Sequence, residues 1–132
     1  MARVGRVARL LAVTAAAMVV TWTGVTPASA TGPFDCDYWF VSYGGGFTAE
    51  LRIINHGPTL NGWTSNWTFD DGERLGAIWS AVMTQDGNRV TATPLPWTAT
   101  IPSGGAIGFG WTAFASATQT PDDITVNGVP CP

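Results

Sequence analysis

The sequence predicts an all-β domain, an immunoglobulin-like or jelly-roll β-sandwich of eight to nine antiparallel strands closed by one disulfide between its ends. Three observations carry this expectation. Apolar and polar residues alternate at period two in several short runs. Clusters of Gly, Pro, Asn and Asp separate those runs. No stretch after Ala30 keeps the 3.6-residue apolar period of a helix.

Residues 1–30 read as a secretory signal. Arg3, Arg6 and Arg9 make a basic start, and the apolar run Leu10 to Val20 is broken only by Thr14. Ala28-Ser29-Ala30 supplies the small residues of a cleavage site, and the apolar run is too short to span a bilayer. The arginines are not adjacent, which favours the general export route over the twin-arginine one. The expected mature chain is a single secreted, extracellular, monomeric domain, residues 31–132, with no membrane attachment and no second domain.

The strands follow in order. Phe47, Ala49, Leu51 and Ile53 alternate with Thr48, Glu50 and Arg52. Trp63, Ser65, Trp67 and Phe69 share one parity, as do Ile107, Phe109 and Trp111. Each run reads as a strand with one buried face. Asn55-His56-Gly57-Pro58 ends a strand. Asp70-Asp71-Gly72, Gln85-Asp86-Gly87-Asn88 and Pro102-Ser103-Gly104-Gly105 read as turns, the first two of them hairpins. A last strand is expected from Ile124 to Val129.

Charge narrows the class of partner. Beyond Ala30 the chain has no lysine, and its cations are Arg52, Arg74 and Arg89 against nine carboxylates. Nucleic acid and anionic membrane surfaces both need a basic footprint, so neither fits. A neutral ligand is expected. Cys36 and Cys131 are the two cysteines, and export places them where a disulfide persists. His56 is the single histidine, so two metal-bound thiolates would lack further ligands.

Six of the seven tryptophans lie beyond Ala30. Trp63 and Trp67 share the apolar parity of Phe69 and read as core, and Trp39 and Trp111, in apolar strands, read as core in whole or part. Trp79 follows Ile78, and Ile78 and Val82 have the parity of inward residues, which places Trp79 outward. Trp97 stands in Pro94-Leu95-Pro96-Trp97, where two prolines exclude a central strand. Tyr43 precedes Gly44-Gly45-Gly46, which has no side chains to cover it. Exposed aromatics on a charge-poor domain call for a ligand. A sugar ring supplies one, because its axial C–H groups form an apolar, slightly positive face that fits the negative face of an aromatic ring.

The ordered set Cys36, Gly46-Phe47, Asn55, Gly62-Trp63, Trp67-Thr68-Phe69, Gly72, Ile78-Trp79-Ser80, Pro96-Trp97, Ile101-Pro102-Ser103-Gly104-Gly105, Gly108-Phe109 and Val126-Asn127-Gly128-Val129-Pro130-Cys131 resembles the bacterial family 2 carbohydrate-binding module. The resemblance covers essentially the whole of residues 31–132. It implies a β-sandwich with its ends joined by a disulfide, and a planar face of three aromatics that stacks on cellulose, sometimes on chitin or xylan. The family's three surface tryptophans fall on Tyr43, Trp79 and Trp97. Retention of all three positions implies the cellulose-binding subgroup. Tyr43 replaces a tryptophan, the stretch from Cys36 to Gly46 is shorter than usual, and Pro96 and Thr98 flank Trp97 where asparagines are common. Gln85 and Asn88 are further candidates for polar ligand contacts.

Catalysis is not expected. A glycosidase needs two carboxyls across a scissile bond. Glu50 faces outward from a strand, and Asp70, Asp71, Glu73, Asp122 and Asp123 fall in turns where such residues are ordinarily solvated. His56 sits in a turn with no Gly-x-Ser-x-Gly elsewhere, and reads as a surface loop residue. No cofactor or metal is called for. The expected function is non-catalytic binding of cellulose or a related β-glycan. The alternative is a small secreted sandwich that takes an apolar small molecule or a protein partner in a cleft. A divergent hydrolase is the third reading.

Overall fold

The computed structural model describes residues 32–132. The expected signal sequence and its expected cleavage site lie outside the described residues. Among the described residues eleven strands run antiparallel: β1 (Phe34–Tyr43), β2 (Gly46–Asn55), β3 (Leu60–Asn61), β4 (Ser65–Thr68), β5 (Arg74–Trp79), β6 (Ala81–Asp86), β7 (Arg89–Pro94), β8 (Thr100–Ile101), β9 (Ala106–Phe114), β10 (Thr125–Val126) and β11 (Val129–Pro130). One sheet has the order β1-β2-β9-β5, the other β11-β10-β4-β7-β6, and β3 pairs with β8. The count exceeds the expected eight to nine because four strands are only two residues long. Among the described residues no helix is long and apolar enough to cross a membrane.

Period-two alternation sets the core. Phe47, Ala49, Leu51 and Ile53 of β2 are all buried, and they face Phe109, Trp111 and Ala113 of β9 on the same side of their sheet. From the other sheet come Trp67, Val90, Ala92 and Met83. The middle of the core is aromatic. Trp67 and Trp111 have ring centroids 5.0 Å apart, and Trp63 stacks on Phe109 at 5.3 Å. Rings in this range gain contact energy beyond their area. The Trp63 indole also donates to the Thr98 carbonyl at 2.8 Å. Cys36 and Cys131 are joined, which ties β1 to the end of β11 across a sequence separation of 95.

Three expectations need correction. Asp70-Asp71-Gly72 is not a hairpin: β4 belongs to one sheet and β5 to the other, so this turn carries the chain across the sandwich. The final strand is split into β10 and β11 by Asn127-Gly128, both at positive φ, which is the geometry of a tight hairpin turn. Val82 faces outward, not inward. Ser80 adopts φ 68 between β5 and β6, the chain changes sheet there, and the parity of β5 does not continue into β6. Ala81 and Met83 are therefore the inward residues and Val82 is exposed. The outward placement of Trp79 stands on β5 alone.

Candidate functional site

The outer face of the four-stranded sheet is built from rows that cross all four strands. One row is Tyr43, Gly46, Phe114 and Arg74. Another is Trp39, Glu50, Gly110 and Trp79. Strand spacing is about 4.8 Å and the rise per residue about 3.3 Å, so Tyr43 and Trp79, at opposite corners, stand roughly 20 Å apart. That span exceeds one sugar ring and suits a polymer.

Trp79 lies flat because of what is missing beneath it. A Cβ on Gly110 would stand 2.4 Å from Cζ2 of the Trp79 ring. The indole therefore rests on the bare backbone of β9, with one face covered and 38 % of the residue exposed. A bulge between Leu75 and Ile78 precedes it, where the Ala77 amide donates to the Thr112 hydroxyl at 2.9 Å instead of to a ladder carbonyl. Tyr43 is seated in a similar way: its Cε2 lies 3.3 Å from where a Cβ on Gly46 would be. Its hydroxyl stands 3.4 Å from that of Thr48, and the residue is 53 % exposed.

Trp97 stands in a 3₁₀ turn, Pro96–Thr98, and is 74 % exposed. Pro96 removes a donor and fixes its own φ, which favours this turn over a strand. The turn is pinned from below. The buried Thr98 hydroxyl donates to the Ser80 carbonyl at 3.1 Å and accepts from the Leu95 amide at 3.0 Å. Thr98 follows Trp97 and Ser80 follows Trp79, so this bond holds the two indole-bearing segments side by side. Tyr43, Trp79 and Trp97 are thus all open to solvent. Two lie on the outer face of one sheet, and the third on a turn bonded to the end of that sheet.

Two aromatics escaped the sequence reading. Trp39 is not core: it is 49 % exposed on the outer face, because it shares parity with Val41 and Tyr43 while Tyr38 and Phe40 pack inward. The outward reading of Tyr43 already contained this signal. Phe114 is exposed on the same face, in the row of Tyr43.

Gln85 and Asn88 are placed elsewhere. The Gln85 amide accepts from the Leu75 amide at 2.9 Å and donates to the carbonyls of Glu73 at 2.7 Å and Gly87 at 2.9 Å, lacing β6 to β5. Asn88 bonds Asp71 across two turns. The structure brings neither to the aromatics, because the β6–β7 turn is at the far end of the hairpin whose other end, Ala81 and Pro94, adjoins Trp79 and Trp97.

The carboxylates serve the turns. Asp123 accepts from the amide and hydroxyl of Thr68 at 3.0 and 2.6 Å. Glu73 also corrects the expectation: it is only 4 % exposed, not solvated, and accepts from the Asp70 amide at 3.1 Å. Burial raises its carboxyl above the usual range, and the hydrogen bond from the Asp70 amide offsets part of the rise. Burial likewise pushes the Tyr38 phenol up, helped by the charges of Glu73 and Asp70. His56 is exposed as expected, with Nε2 2.6 Å from Asp35.

This chain is 36 % identical over 108 residues to Exoglucanase A of Cellulomonas fimi, a match covering 80 % of this chain and 12 % of that protein. The chain therefore spans only a small part of that relative's length. Its fold matches the solution structure of the chitin-binding domain of Chi18aC from Streptomyces coelicolor, with TM-score 0.64, 28 % identity, and coverage of 77 % of this chain and 96 % of that one. It also matches the cellulose-binding family 2 carbohydrate binding domain from ScLPMO10C, with TM-score 0.56, 29 % identity, and coverage of 70 % and 94 %. The model of one family, described as the cellulose binding domain, matches residues 34–131, and with the sandwich and its exposed aromatics this places the chain in the cellulose binding domain family.

Proposed function

We propose that this protein binds the surface of a β-1,4-linked polysaccharide without acting on it, cellulose first and chitin second, by stacking Tyr43, Trp79 and Trp97 on separate sugar rings of that surface. The observation that carries the reading is the exposure of those three aromatics on one rigid sheet and its adjoining turn. Each stacked ring contributes about 1–3 kcal/mol by analogy with base stacking on aromatic side chains. Several such contacts give useful affinity for a polymer, where a single sugar meets only one.

Rigidity supports the reading. The rings need not be ordered on binding, because Gly110, Gly46 and the Thr98–Ser80 bond already seat them. The acidic balance of the chain suits a neutral polymer and repels anionic ones. A cellulose-binding and a chitin-binding domain resemble the chain about equally, which favours the feature both polymers share, a flat β-1,4-linked chain. The reading includes export by the leader of residues 1–30 and action as a monomer.

A pull-down with microcrystalline cellulose, chitin and insoluble xylan tests this directly. Depletion of the protein from solution by cellulose or chitin is the expected result, with no reducing sugar released. A protein left wholly in the supernatant with all three contradicts it.

A further inference from the structure

The three-ring reading leaves two outward aromatics unused, Phe114 and Trp39, and Trp39 is the larger. Trp39 lies on β1 four residues from Tyr43, with exposed Val41 between them. It faces the same way as Trp79 and heads the same row, and three strand spacings put the two indoles about 14 Å apart. Gly110 supplies no side chain to rise between them, and Glu50 fills the β2 position of the row. On its other side Trp39 borders a cleft of about 410 Å³ along the edge of β1. Asp37, Thr120 and Asp122 bring polar groups to this cleft, and Tyr38 and Pro121 bring apolar ones.

We propose that Trp39 and this cleft form a further sugar subsite at the β1 edge of the face that carries Tyr43 and Trp79. The ligand is a sugar unit of the same β-1,4-linked polysaccharide, so the proposal rests on the reading above. A platform with a polar rim beside it is what one sugar ring needs: the indole takes the C–H face, and carboxylates and a hydroxyl take the hydroxyls at the edge. Among the described residues, Asp37 is open to do so. The Arg52–Asp37 pair is long, 3.9 Å, and both side chains are mostly exposed, so it fixes neither. The position also matters. Trp39 and Tyr43 share one edge strand and Trp79 holds the opposite edge, so the three rings are not in line. A single chain follows a line, whereas a surface of parallel chains meets all three.

Binding isotherms on microcrystalline cellulose and chitin test the subsite, with wild type, Trp39→Ala, Trp97→Ala and a control, Val82→Thr, exposed on the other sheet. Trp39→Ala is expected to weaken binding about fivefold or more, the lower end of one stacked ring, and Val82→Thr to leave it unchanged. If Trp39→Ala binds within about twofold of wild type while Trp97→Ala does not, the subsite is overturned and the polysaccharide reading stands. If wild type binds neither polymer, both fall. If Trp39→Ala lowers the melting temperature, oxidation of exposed indoles in the wild-type protein replaces it. Protection of Trp39 by bound polymer supports the subsite, and oxidation at the rate of the free protein overturns it.

Discussion

Tryptophans inside and outside the sandwich have the same side chain and opposite uses. Trp63, Trp67 and Trp111 are buried between the sheets, packed ring against ring with Phe109. Trp39, Trp79 and Trp97 stand open to solvent. Parity decides between the groups on the strands: Trp111 on β9 and Trp79 on β5 lie close together but point to opposite faces of one sheet. What lies beside each ring then sets its use. The inner rings touch other large side chains. Trp79 rests on the glycine backbone of β9 and Trp97 rides on a proline turn, which leaves both uncovered. The difference teaches that, on the proposed function, this small domain divides its aromatic side chains between stability and binding, with the inner set as the support of the outer.

That division breaks most sharply at Trp67. Trp67→Ala empties the centre of the core and is expected to cost about 3–5 kcal/mol, a large share of the roughly 5–15 kcal/mol that stabilises a typical domain. Chemical denaturation measures it, and a midpoint unchanged from wild type would mean that the inner rings are not the support described. A smaller effect is expected at the boundary between the two groups. Gly110→Ala places a methyl where the Trp79 indole lies. Its backbone φ is not in the left-handed region, so the ring and not the strand must yield. Cellulose affinity is expected to fall roughly tenfold, as for loss of a stacked ring, with a red-shifted indole emission and a cooperative melt retained. Full affinity in this variant would show that the flat seating of Trp79 is irrelevant.

Much of this was legible before the fold was known, and the failures share a cause. Period-two runs located β2, β4 and β9 and their buried faces, because alternation reports directly which side meets the core. Tyr43, Trp79 and Trp97 were legible from local exceptions: a glycine run, an inward neighbour, a pair of prolines. Strand pairing was not. Asp70-Asp71-Gly72 has hairpin chemistry but connects two sheets, and nothing local distinguishes these outcomes. Ser80 broke the parity used for Val82, since a left-handed serine has no strong sequence signature. Trp39 lies in a stretch that is apolar on both faces, and only the alternation running back from Tyr43 marks its outward side. Glu73 looked solvated because burial of a turn residue depends on which distant segment covers it, here the region around Thr118 to Pro121.

The central claim is that the outer rings bind and the inner rings support. Paired measurement of melting temperature and cellulose affinity for Trp97→Ala tests it most directly, because this ring is the most exposed and supports nothing above it. The account predicts a melt superimposable on wild type and an affinity lower by about five- to a hundredfold. A variant that keeps full affinity, or that loses binding only because it unfolds, would contradict it.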